Sequence, residues 1–97
     1  MDIRQLETFI YLCDYKSFSK AGEKLFITQP TVTNHIKNLE SELGVNLVNR
    51  LGNTISITDA GSILYKYAKD VIDSINIAKH SICLLYTSDA ADDSLRV

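Results

Sequence analysis

Only two cysteines, Cys13 and Cys83, occur in the 97 residues, and no Cys-x-x-Cys spacing is present. No structural disulfide is expected, and both thiols are read as reduced and idle. No apolar run approaches the ~18 residues that a membrane span requires. Asp2, Arg4 and Glu7 interrupt the N-terminus, so a basic-then-apolar leader is missing. These absences point to the cytoplasm. Charge of one sign is also scarce: the net charge is −2, which argues mildly against a nucleic-acid partner. Catalytic motifs are missing as well. No GxSxG, HExxH or P-loop occurs, and neither His35 nor His80 stands with a nucleophile and a carboxylate at motif spacing. An enzyme, a bound metal and a cofactor are therefore not expected.

What is present is a chain for one small domain, with 45% hydrophobic residues, the ordinary share for a globular protein. Its charge is unevenly spread. Residues 84–97 hold Asp89, Asp92 and Asp93 against Arg96, which accounts for the whole deficit. Segment 16–66 carries six lysines and arginines against four acids, a local excess of two positive charges. DNA binding through such a surface would be electrostatically lean.

Apolar spacing organises the chain. Ile3, Leu6, Phe9, Ile10 and Cys13 predict an amphipathic helix over 2–15. Ser17 and Ser19 offer caps for a second helix with Ala21, Leu25 and Phe18 inward, and Phe26-Ile27 makes a turn. Gly22 costs that helix roughly 1 kcal/mol relative to alanine but admits another backbone closely. Thr28 is a good N-cap, and the single proline, Pro30, falls in the first turn, where its missing N–H does no harm.

The third helix is predicted to run to Leu43 with Val32, Ile36, Leu39 and Leu43 buried. The opposite face then presents Pro30, Thr33, Asn34, Lys37 and Ser41. His35 falls about 60° from the buried stripe and is expected to be half-exposed. Gly44 suits the C-cap. Residues 47–50 and 54–57 read as two short strands around Leu51-Gly52-Asn53, a small hairpin. A helix, a turn, a second helix and a hairpin in this order define a winged helix-turn-helix, a mainly α fold. Its second helix can enter a DNA major groove.

Thr58 can cap a long last helix. Leu64, Ala68, Val71, Ile75, Ala78, Ile82 and Leu85 alternate steps of four and three, a heptad seam. Such a seam either packs on its own domain or pairs with a second copy. Pairing is the reading adopted, because three helices and a wing cannot cover so long a seam. The expected organisation is a head over 1–58, a linker and dimerisation helix over 59–85, and a tail over 86–97. Residues 83–97 break character, turning acidic and rich in small residues. They resemble translated sequencing-adapter read-through, so the tail is expected to be non-native and the gene cut short.

Residues 1–82 resemble the N-terminal domain and linker helix of LysR-type transcriptional regulators. The likeness rests on Gln5-Leu6-Glu7-Thr8-Phe9, Ser17-Phe18-Ser19-Lys20-Ala21, Leu25, Thr28-Gln29-Pro30-Thr31-Val32-Thr33, Ile36, Leu39-Glu40, Leu43-Gly44-Val45, Leu47, Arg50 and Thr58-Asp59-Ala60-Gly61. Each piece is weak alone, and the set in register is highly specific. The resemblance implies a bacterial regulator that binds double-stranded promoter DNA as a homodimer or, at full length, a tetramer. An effector-binding domain of two α/β lobes follows the linker helix in that family. It is absent from this sequence, so a small-molecule effector is expected only for that missing domain.

By the same resemblance, Gln29, Pro30, Thr33 and Asn34 match the start of the recognition helix, and Thr28 and Arg50 match positions that hold the DNA backbone. Two positions depart from the family pattern. Asn34 and Asn53 stand where arginine is common, and each removes a positive charge. Asparagine pairs bidentately with adenine whereas arginine prefers guanine, so base preference at 34 should change and the wing should insert more weakly. Val48, in place of a usual phenylalanine, only shrinks a core contact.

The candidate DNA-binding set is thus Thr28, Gln29, Pro30, Thr31, Thr33, Asn34, Lys37, Arg50 and Asn53. The candidate dimerisation set is Leu64, Ala68, Val71, Ile75, Ala78 and Ile82. Lys20 and Lys24 are expected to be solvated, and Arg50 could instead partner a carboxylate. The main alternative to a DNA reader is a winged helix whose task is self-association through residues 59–85. A DNA reader should weaken steeply with salt, whereas an apolar seam should not.

Overall fold

The computed structural model describes residues 1–52 and 54–89, with side chains to residue 85. Helix α1 (Ile3–Tyr15) opens on a capping box: Asp2 accepts from the Gln5 N–H at 2.8 Å, and Gln5 accepts from the Asp2 N–H at 3.3 Å. The Ser17 hydroxyl accepts from the Lys20 N–H at 3.1 Å and starts α2 (Phe18–Leu25). Thr28 caps α3 (Gln29–Leu43), which ends on Gly44 at φ +73, a conformation glycine adopts without a Cβ clash. Strands β1 (Val48–Leu51) and β2 (Thr54–Ile57) pair antiparallel, with Val48 opposite Ile57 and Leu51 opposite Thr54. Gly52, at φ +63, opens the two-residue connection between them. Helix α4 (Asp59–Asp89) follows.

Helices α1, α2 and α3 enclose one core. Phe9, Leu12, Val32, Leu39 and Leu47 are fully buried, joined by Leu6, Ile10, Phe18, Ala21 and Ile36. The α2–α3 corner closes tightly because position 22 has no side chain. A Cβ there would lie 2.8 Å from the Ile27 carbonyl oxygen. Thr8 is the one buried polar side chain among the described residues, and both of its capacities are used. Its hydroxyl donates to the Arg4 carbonyl at 2.9 Å and faces His35 Nδ1 at 2.8 Å. With its only proton given to Arg4, the Thr8 oxygen accepts from His35, which assigns the imidazole N–H to Nδ1.

The wing is fastened at its root. The Glu40 carboxylate on α3 accepts from the Leu47 N–H at 2.8 Å and the Val48 N–H at 3.4 Å. Thr58 donates its hydroxyl proton to the Asn46 carbonyl at 2.7 Å, while its oxygen caps α4 through the Gly61 N–H at 3.0 Å. The Thr58 N–H donates to the Leu47 carbonyl at 3.1 Å. Two chain segments therefore meet backbone to backbone at Leu47 and Gly61.

Three expectations are corrected. Leu43 is 41% exposed, not buried, because the last turn of α3 runs beyond the helices that cover its earlier turns. The first strand starts at Val48 and takes in Leu51. Ala68 is buried in the domain's own core and Leu64 is half-buried against it, along with Tyr65 and Ile72. The first turns of α4 therefore present Ile63 and Tyr67 outward, at 60% and 58% exposure. Heptad spacing records which residues are apolar, but not which neighbour covers them. Helix α4 runs on to Asp89, four residues into the tail expected over 86–97, and residues 90–97 of that tail lie outside the described residues.

Candidate nucleic-acid interface

Helix α3 begins where its chemistry is most exposed. The Thr28 oxygen accepts from the Thr31 N–H at 3.3 Å, and the two hydroxyls are 2.8 Å apart, which fixes the first turn. Gln29, Pro30, Asn34 and Lys37 are exposed on α3, while Thr31 and Thr33 are half-buried. The predicted face is thus presented on one side of the helix whose other side is Val32, Ile36 and Leu39. Asn53 lies outside the described residues.

A cleft of about 380 Å³ adjoins this face. Lys16, Ser17, Ser19, Gln29, Arg50 and Thr54 contribute to its walls, so the N-termini of α2 and α3 meet the wing there. Helix N-termini carry partial positive charge and free N–H groups, and two cationic side chains add to them. The cleft is therefore locally electropositive. The Arg50 guanidinium lies 4.2 Å from the centre of the Phe18 ring, a cation–π contact that holds it along the cleft wall. Among the described residues Arg50 and Lys37 make no ion pair; the ion pair described joins the Met1 amino group to Glu42. The contact observed for Arg50 among the described residues is thus with an aromatic ring.

Sequence reasoning missed several parts of this site. Lys16 was not singled out, yet it sits at the C-cap of α1 with φ +52 and lines the cleft. The Ser19 hydroxyl donates to Gln29 Oε1 at 3.4 Å, joining α2 to the start of α3. Glu40 entered only through the resemblance, and its bonds to the wing root were not foreseen. No local pattern marks these residues, because each acts on a segment distant in sequence.

Lys24 lies 5.8 Å from the Tyr15 ring, away from the α3 face, and Lys20 is exposed. Burial, reinforced by the Asp14 charge, pushes the Cys13 thiol up to about 12, so it stays protonated at neutral pH. The Tyr65 hydroxyl donates to Asp14 at 2.7 Å and ties α4 to α1; that bond, then burial, raises it to about 12. No group of metal-binding side chains occurs among the described residues, and no helix there is long and apolar enough to cross a membrane.

The architecture and the exposed α3 face define a winged helix-turn-helix protein. Residues 3–62 match the family described as "Bacterial regulatory helix-turn-helix protein, lysR family", and the chain belongs to that family. Two Bacillus subtilis (strain 168) relatives are similar to it. The HTH-type transcriptional regulator CysL is 46% identical over 77 residues, which is 79% of this chain and 26% of CysL. The HTH-type transcriptional regulator CitR is 44% identical over 73 residues, 75% of this chain and 25% of CitR. The chain thus spans about a quarter of the length of these curated relatives. Among solved structures, the BenM DNA-binding domain in complex with benA site 1 DNA superposes with a TM-score of 0.83 at 32% identity. The match covers 88% of this chain and 96% of that one.

Proposed function

We propose that this chain is the sequence-specific DNA-binding module of a bacterial LysR-type transcription regulator, a binder and not an enzyme, working in the cytoplasm. The observation that carries the reading is the exposed α3 face beside a cleft built from two helix N-termini, Lys16 and Arg50. Helix α3 would lie in the major groove, with Gln29, Pro30, Thr33 and Asn34 toward base edges and Thr28 and Thr31 fixing their turn. Arg50, Lys16 and Lys37 would take phosphates, and the wing, including Asn53, would lie beside the adjacent minor groove. Residues 1–58 form the DNA-binding head in this reading, and 59–85 form the linker.

Two copies would pair along α4. Ile63, Tyr67, Val71, Ala78, Ile82 and Leu85 are exposed and fall within a stripe about 100° wide at helical spacing. Of the residues first assigned to this seam, Val71, Ala78, Ile82 and Leu85 lie on the outward stripe, and Ile75 borders it. Pairing would present two α3 helices to related half-sites. Tetramer assembly and effector binding would belong to a longer protein.

The test is retention of a randomised duplex library by the purified chain at two salt concentrations. Three phosphate contacts per chain, six for the paired copies, would give a log–log slope of about −5, at roughly −0.9 per neutralised phosphate. Salt-dependent retention with an enriched inverted repeat is expected. Self-association with no retention at low salt would instead favour the interaction-module reading.

A further inference from the structure

We infer that the α3 face selects A·T base pairs, with Asn34 as the residue that reads adenine; the inference rests on the DNA-binding reading above. In the major groove guanine offers two acceptors, N7 and O6, whereas adenine offers an acceptor, N7, beside a donor, the N6 amino group. A guanine reader therefore needs two donors, which arginine supplies best. Helix α3 contains no arginine, and its one cation, Lys37, lies two turns into the helix, behind the N-terminal positions that reach base edges.

An adenine reader needs one donor and one acceptor on the same side chain, which is a carboxamide. Two carboxamides stand at the start of α3, and the structure separates them. Gln29 is turned toward α2, where the Ser19 hydroxyl donates to its carbonyl oxygen at 3.4 Å, and it lines the cleft, which suits its amino group to a phosphate. Asn34 is exposed and makes no side-chain hydrogen bond among the described residues, so its oxygen and its amino group are both free. Pro30 and Thr33 flank it on the same face. Their ring carbons and methyl group suit the C5-methyl of thymine, which cytosine lacks.

The experiment is selection from a randomised duplex library with the full chain, run in parallel for the parent, Asn34→Ala and Asn34→Arg. Circular dichroism confirms equal folding, which an exposed helical position should allow. The expected result is an enriched A·T pair at one position of each half-site. Asn34→Ala should relax that position by roughly 5- to 150-fold, and Asn34→Arg should move it toward G·C. Enrichment of G·C by the parent, or an A·T preference that Asn34→Ala leaves intact, would overturn the adenine assignment while the DNA-binding function stood. Failure of the parent to retain any duplex at low salt would overturn both.

Discussion

Phe26 holds its aromatic ring almost wholly in solvent, at 94% exposure, on a backbone at φ +61 and ψ +40. An L-residue pays about 1–2 kcal/mol for this left-handed conformation, and the ring gains no packing in return. Its N–H is bonded to carbonyls of Gly22 and Glu23, so the conformation is required to end α2. Phe26→Gly should therefore stabilise the fold by about 1 kcal/mol, after the extra entropy of an unfolded glycine is subtracted. Thermal unfolding checks this, and an unchanged or lower midpoint would contradict the strain argument. At this scale the sequence was only partly legible. Thr28, Ser17 and Gly44 announce themselves as caps because capping is local. Thr8, Glu40 and Ser19 do not, because His35, the Leu47 N–H and Gln29 are brought to them by folding.

The wing and the start of α4 are one mechanical unit. A Cβ at position 61 would lie 2.2 Å from the Leu47 carbonyl oxygen and 2.7 Å from Ile57 Cγ2, so the two segments cannot separate enough to admit it without breaking the Thr58 contacts. Gly61→Ala should destabilise the domain by about 3 kcal/mol, at the upper end of overpacking costs. Urea unfolding measures it, and a loss under 1 kcal/mol would show that the root is compliant. The helices themselves were legible from spacing, since an apolar face repeats every three to four residues whatever it packs on. The departure of Leu43 from its buried stripe was not, because the end of a helix can outrun its neighbours while its pattern continues.

Helix α4 spans 31 residues, about 46 Å at 1.5 Å per residue, far more than one small head can cover. Its face toward α1 holds Ala68, Tyr65 and Ile72; its outward stripe holds Ile63, Tyr67, Val71 and Ile82. The two faces predict different phenotypes. Val71→Asp or Ile82→Asp should leave the head folded and reduce the sedimenting mass to that of a monomer. Ala68→Asp should unfold it by burying an unpaired carboxylate. A Val71→Asp protein that sediments like the parent would count against pairing through this stripe.

The sequence by itself determined the helices, their caps, the hairpin and the face of α3 turned outward. Periodicity, cap chemistry and turn chemistry act over a few residues and need no knowledge of the rest of the chain. The tertiary structure decided which apolar residues of α4 serve the head and which remain free. It also brought Lys16 and Arg50 together in a cleft beside Gln29, and turned Gln29 toward Ser19 while Asn34 stays exposed. Those outcomes depend on which segments fold against one another, a property of the packed chain that no local spacing encodes.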